Sequence, residues 1–92
     1  MADKNYEIIK EIAVLSENST GWKTELNLVK WFGNEAKYDI RDWSRDHTRC
    51  GKGITLSDDE LNNLVTGIRD SNLRDIRERV REVNGTEDFN TD

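Results

Sequence analysis

The chain of 92 residues contains one cysteine and no proline. Because Cys50 has no second cysteine to pair with, no intrachain disulfide can form, and a reducing compartment is the natural environment. No apolar run approaches the roughly 20 residues of a membrane span, and the amino terminus lacks the apolar segment of a signal peptide. We therefore predict a cytoplasmic protein with no membrane association.

The sequence also lacks a catalytic or metal-binding motif. His47 and Cys50 lie three apart in a polar loop, but a structural zinc site needs four ligands and no second pair exists. Asp39 and Asp42 fall on opposite faces of their strand, and Gly51-Lys52-Gly53 is too short for a phosphate-binding loop. We interpret His47 as a solvated loop residue and Cys50 as an incidental thiol, and we expect neither enzymatic activity nor a cofactor.

Apolar residues are scarce, at 34% against 36% charged residues. One domain of this length buries only about 60 to 65% of its unfolded surface, so the core is small. Association with a second copy would relieve the shortage of apolar burial. The composition therefore favours a homodimer.

Positive charge is in deficit as well, since the net charge is -5. Three of the acidic residues lie in the last nine positions, 84–92, which contain no cation. Between Trp22 and Gly53 there are seven Lys and Arg against five Asp and Glu. An acidic total can therefore coexist with one locally basic face.

Alternation of apolar and polar residues predicts four strands, at about 6–16, 22–32, 36–43 and 52–56. The first segment also has partial helical spacing, but its β-branched residues and the turn cluster after it favour a strand. In the third strand and its neighbour, we assign Tyr38, Ile40, Ile54 and Leu56 to the core. The opposite face, with Lys37, Asp39, Arg41 and Trp43, is expected to meet water or a ligand.

A capping box at Ser57-Asp58-Asp59-Glu60 predicts the start of a helix that extends over about 58–83. Its apolar stripe comprises Leu61, Leu64, Val65 and Ile68. A second helical pattern, Leu73, Ile76, Val80 and Val83, is out of phase, so the helix either kinks near 71–72 or breaks there. Its arginines alternate with acids and are interpreted as a solvated face. We expect disorder at 1–5 and in the acidic tail 84–92.

Trp31 and Trp43 occupy strand positions that otherwise carry polar residues. Either they pack beneath a loop or a partner subunit, or they present their rings to a ligand. Cations surround them in the sequence, namely Lys23, Lys37, Arg41, Arg45, Arg49 and Lys52. Flat rings interleaved with cations are typical of proteins that bind an unpaired nucleic-acid strand with little sequence preference.

Two motifs at a fixed separation, Tyr-Asp-Ile-Arg-Asp-Trp at 38–43 and Lys-Gly-Ile-Thr-Leu at 52–56, followed by the capped helix, resemble the transcriptional positive cofactor 4 family. The bacterial YdbC-type branch is the most similar. The resemblance covers about residues 6–68. It implies an α+β fold in which a four-stranded curved antiparallel sheet precedes a helix, and a two-fold dimer forms where the helices and fourth strands meet.

The same resemblance implies binding of single-stranded DNA in the sheet channels. It implies that Arg41 contacts the strand, that an aromatic before the second hairpin glycine, assigned to Trp31, stacks a base, and that Lys52 contacts phosphate. The eukaryotic members carry two aromatics after the Arg-acidic pair, whereas here Ser44 follows Trp43. Two alternatives stay open: a protein-interaction dimer of the transcription or replication machinery, and a single-stranded RNA-binding protein.

Overall fold

The computed structural model describes residues 5–85, which form four strands and two helices. The strands are β1 (Tyr6–Glu17), β2 (Lys23–Trp31), β3 (Ala36–Trp43) and β4 (Cys50–Leu56), and the helices are α1 (Asp58–Asp70) and α2 (Leu73–Asn84). The antiparallel sheet has the order β1-β2-β3-β4. The predicted α+β class is confirmed, and the observed strand ends differ from the expected ones by two residues or fewer. Residues 1–4 and 86–92, including most of the predicted tail, lie outside the described part.

The chain divides into two compact units, the sheet with its continuation to Leu61 and the helical part from Asn62 onward. The turns of the sheet follow from local residue chemistry, since Gly21 and Gly33 both adopt positive φ, at 91° and 79°. Glycine adopts this conformation without steric cost, which permits the tight connections before β2 and after it.

The structure covers the face of β3 that we expected to meet water or a ligand. The pairs Leu26–Ile40 and Leu28–Tyr38 share one face, and the pair Asn27–Asp39 lies on the other. The polar and aromatic face is the covered one, because Asn27, Asp39 and Trp43 are all completely buried. The expected core residues Tyr38, Ile40 and Leu56 are half-buried and Ile54 is exposed.

The assignment of the faces was therefore wrong, and the physical reason lies far away in the sequence. Tyr6 from β1 and His47 from the loop between β3 and β4 place their rings against Trp43. Strand periodicity tells the two faces apart but does not identify which of them distant segments will cover.

The first strand departs from simple alternation because it contains three bulges. Its pairing with β2 shifts between Ile8 and Lys10, between Glu11 and Ala13, and between Val14 and Ser16. Each bulge places two residues of β1 opposite one residue of β2 and bends the strand. The regular parity expected for this segment is lost three times within twelve residues.

Capping residues are present at the start of α1 and at both ends of α2. The Glu60 carboxylate accepts the Ser57 backbone N–H at 2.8 Å, and the Ser57 hydroxyl accepts the Glu60 N–H at 3.1 Å, which completes the capping box. Of the two predicted alternatives, a kink and a break, the structure shows the break, since Asn72 adopts a left-handed conformation with φ of 43° and caps α2. Gly85 ends α2 with φ of 71°. No helix in residues 5–85 is long and apolar enough to cross a bilayer.

Gly53 in β4 provides a test of the sheet's packing. A Cβ atom at this position would lie 2.2 Å from both the Ile40 carbonyl oxygen and the Arg41 Cβ, so the strand backbone would have to move. We expect Gly53→Ala to lower the free energy of unfolding by about 1 to 3 kcal/mol. Urea denaturation followed by circular dichroism measures this change.

Gly67 in α1 is the matched control, because a Cβ there would meet open space. Gly67→Ala should leave stability unchanged or raise it by about 1 kcal/mol, since alanine favours the helix. Equal effects of the two substitutions would contradict the close approach of β3 and β4 at Gly53.

Candidate nucleic-acid interface

A buried carboxylate, that of Asp39, organises the covered face of the sheet. Asp39 is completely buried in the middle of β3. It accepts hydrogen bonds from Arg41 Nε at 2.7 Å and Arg41 Nη2 at 2.8 Å. Trp31 Nε1 on β2 and Thr55 Oγ1 on β4 each donate to it at 3.3 Å. Donors from three strands thus compensate the burial of this charge.

The bidentate contact with Asp39 fixes the Arg41 guanidinium above the Trp31 ring. The guanidinium carbon lies 4.6 Å from the centroid of that ring, which is within cation–π range. Hydrogen bonding to Asp39 raises the pKa of Arg41, and burial opposes this rise only in part. Arg41 also donates from Nη1 to the Gly51 carbonyl at 3.3 Å. The cation is therefore permanently charged and held in one orientation.

Trp43 packs against Trp31 and does not face solvent. Its ring stacks on Trp31 with centroids 6.1 Å apart and planes inclined by 14°. Tyr6 and His47 cover it at centroid distances of 5.1 and 5.6 Å. With an exposed fraction of 0%, Trp43 cannot offer its face to a base, and the expectation that it would meet a ligand was wrong. It supports Trp31 by stacking against its ring.

Phe32 is the exposed aromatic that the sequence reasoning missed. Its residue is 68% exposed, and its ring centroid lies 6.0 Å from that of Trp31. The backbone of Phe32 has φ of 52°, a rare conformation for a bulky residue outside functional or constrained sites. The available signal was its place directly before Gly33, the second hairpin glycine, whereas the expectation had assigned that role to Trp31.

These residues line an open pocket of about 720 Å³ at the β2–β3 hairpin end of the sheet. Its walls are Trp31, Phe32, Asn34, Glu35, Lys37, Arg41 and Thr55. Three of the predicted binding residues, Trp31, Lys37 and Arg41, are thus brought together. The pocket joins an exposed ring, an oriented guanidinium and a lysine, which suits a planar base with its phosphate.

The other predicted cations lie elsewhere on the sheet unit. Arg45 and Arg49 line a second hollow together with Trp22, and the Arg49 guanidinium carbon is 5.8 Å from the Trp22 ring centroid. Lys52 is exposed on β4, and Lys23 pairs with Trp43 in the β2–β3 register. Neither lysine lines either of these two pockets.

His47 is not the solvated loop residue that was expected. Its Nε2 atom lies 2.9 and 3.0 Å from the two carboxylate oxygens of Glu25, which is buried and also accepts a hydrogen bond from Asn27. The Tyr6 hydroxyl donates to the His47 backbone carbonyl. A small ring at this position therefore closes the loop over Trp43, a contact that depends on residues distant in sequence.

No metal centre forms in the part of the chain that the structure describes. Cys50 is an exposed free thiol, and no group of three or more His, Cys, Asp or Glu residues within 5–85 is arranged to hold a metal ion. The Asp39 carboxylate instead accepts hydrogen bonds from Trp31 and Arg41. The chemistry that the site offers is stacking and anion contact.

Part of this chain is similar in sequence to known proteins. An uncharacterized protein of Treponema pallidum (strain Nichols) is 42% identical over 59 residues, which cover 64% of this chain and 69% of that protein. Its description does not test the proposed YdbC-type branch, which stays a prediction. The family model described as Transcriptional Coactivator p15 (PC4) matches residues 18–67, more than half of the chain, from the turn before β2 to within α1. The chain therefore belongs to the PC4 family of transcriptional coactivators.

Proposed function

We propose that this protein is a non-enzymatic homodimer that binds single-stranded DNA with low sequence specificity, as a transcriptional coactivator or an accessory protein in DNA transactions. The family to which it belongs is known for single-stranded DNA binding and coactivator roles. One observation carries the proposal for this chain: the oriented Arg41–Trp31 pair shares an open pocket with exposed Phe32 and Lys37. Its composition also fits a cytoplasmic protein.

The pocket suits an unpaired strand for a physical reason. A base can stack on the Phe32 ring only if that base has left the stack of a duplex. Arg41 keeps N–H donors that neither Asp39 nor Gly51 takes, and these can contact a phosphate oxygen. Lys37 adds a second positive charge at the same pocket. Stacking and charge contacts of this kind carry little sequence information.

The remaining cations extend the basic surface beyond the pocket. We assign Lys23, Arg45, Arg49 and Lys52 to phosphate contacts along the strand. Arg49 beside Trp22 repeats the pairing of a cation with an indole at the second hollow. Trp43 contributes indirectly, by stacking against Trp31 and holding it in place.

Dimerisation would cover apolar surface that one chain leaves open. In α1, Leu64, Val65 and Ile68 are between 44% and 49% exposed, and Leu61 is half-buried. In the sheet unit, Ile54 on β4 is 56% exposed. A second copy is the simplest source of cover for a chain with so few apolar residues. Partner proteins of the transcription or replication machinery would then meet the dimer.

Removing the exposed ring tests the stacking role. We expect Phe32→Ala to weaken binding of an oligo-dT 20-mer by about 1 to 3 kcal/mol, while Phe32→Tyr retains a stacking face and binds normally. Quenching of tryptophan emission during titration at low salt gives both affinities. Retention of full affinity by Phe32→Ala, or equal affinity of the wild type for duplex, would contradict the proposal.

Competition between matched DNA and RNA strands for the wild-type protein decides which of the two polymers it prefers.

Removing the oriented cation tests the phosphate role. Arg41→Ala should lower the affinity and reduce the slope of log affinity against log salt by about 0.7, since one phosphate contact is lost. Arg69→Ala in α1 is the control, because Arg69 is 70% exposed and lies beyond the sheet unit. A mutant slope equal to that of the wild type would show that Arg41 does not meet phosphate. Loss of the dimer in Arg41→Ala would instead favour a protein-interaction role.

The oligomeric state is open to direct measurement. Light scattering at micromolar concentration should give twice the chain mass of 10.7 kDa. Val65→Asp should shift the mass toward one chain, because a carboxylate would be buried in an apolar contact. Asn63→Asp adds the same charge on the opposite side of α1 and should leave the dimer intact. A wild-type mass of one chain would refute the dimer.

A further inference from the structure

The second helix carries an apolar face that the proposed DNA-binding function does not use. Leu73, Ile76, Val80 and Val83 in α2 are between 40% and 68% exposed, and α2 contains no buried residue. α2 also lies outside the residues that match the family model, which end at 67. An exposed apolar stripe of this kind marks an interaction surface more often than a solvated one.

The spacing of the stripe specifies the shape of its partner. Its four residues follow at intervals of three, four and three, the a and d positions of consecutive heptads. Side chains with this spacing insert between those of a second helix packed alongside. The stripe extends over about 15 Å of helix, enough for a short helix–helix contact. A second helix is therefore the complementary structure.

The charges beside the stripe indicate the sign of the charge that the partner carries beside its own stripe. On a helix with 3.6 residues per turn, Arg77 lies about 40° beyond Leu73 at one edge, and Arg79 lies about 40° beyond Val83 at the other. Asp75 and Glu78 of α2 lie on the side away from the stripe, and Glu82 forms an exposed ion pair with Arg79 at 3.1 Å, a contact that contributes little in water. Edge residues of this type determine which helices pair. Two arginine edges therefore favour a partner with acidic edges.

The same charges disfavour two other occupants. A second copy of α2 would present only arginine or asparagine at each edge, so no ion pair could form and like charges would approach one another. An anionic membrane would meet four aliphatic side chains without an aromatic anchor, on a chain with a net charge of -5. A protein helix with an apolar stripe and acidic edges can pack against the stripe and also pair with the arginines beside it.

We propose that the apolar face of α2, bordered by Arg77 and Arg79, binds an amphipathic helix of a partner protein whose own apolar stripe is bordered by Asp and Glu. This contact uses none of the residues that line the pocket on the sheet. It gives the chain a protein-binding surface in addition to its surface for a DNA strand. Such a surface connects a bound strand with a second protein.

A designed peptide provides the test. A fluorescein-labelled helical peptide with Leu at the a and d positions and Glu at the e and g positions is titrated with the full chain, and anisotropy reports binding. We expect binding that Arg77→Glu with Arg79→Glu weakens about tenfold or more. A peptide with Lys in place of Glu should prefer the double variant over the wild type. This exchange of preference shows that the variant is folded and that the edges select the partner.

Arg69→Glu with Arg74→Glu is the matched control, since it changes the net charge equally but away from the edges of the stripe. It should bind the acidic peptide as the wild type does, and the affinity of both double variants for oligo-dT should stay within about twofold of each other. The proposal is overturned if the acidic peptide does not bind at about 1 mM, or if the control weakens binding equally. Binding of α2 to phosphatidylserine vesicles in place of the peptide, or a loss of dimer mass in Val80→Asp, would assign the face to a membrane or to a second copy.

Discussion

The buried carboxylate of Asp39 is the interaction on which the sheet unit depends most. Donors on β2, β3 and β4 converge on it, so one charge connects three strands and the indole above them. A carboxylate without partners in this position would cost several kcal/mol, and the donors are therefore as necessary as the carboxylate. The same contact turns a flexible arginine into a fixed cation, which links the stability of the fold to the geometry of its binding surface.

Local patterns in the sequence predicted the elements well because their causes are local. Alternation located the strands, and Ser57 with Glu60 located the start of α1 through a contact only three residues long. The burial of Trp43 could not be predicted in this way, since it depends on Tyr6 and His47. The three bulges of β1 likewise reflect its pairing with β2 and leave no simple mark in the sequence.

The candidate site was predicted only in part, because some of its residues follow from strand parity and others do not. Trp31, Lys37 and Arg41 lie on the same face of two neighbouring strands, and strand parity suffices to predict that shared face. Phe32 was missed because its role depends on a left-handed backbone at the end of a hairpin, not on strand parity. An acidic chain can present such a site because the anionic side chain closest to Arg41 is buried and engaged, and so contributes little repulsion at the surface.

The bulges of β1 have a consequence for the solubility of the sheet. β1 is an edge strand, and it carries exposed Ile9, Ile12 and Leu15, which would favour pairing with strands of other molecules. An irregular edge cannot template a continuous ladder of hydrogen bonds with a neighbouring chain. The bulges thus protect an apolar edge against aggregation together with the charged residues of the strand, among them Lys10, and without proline.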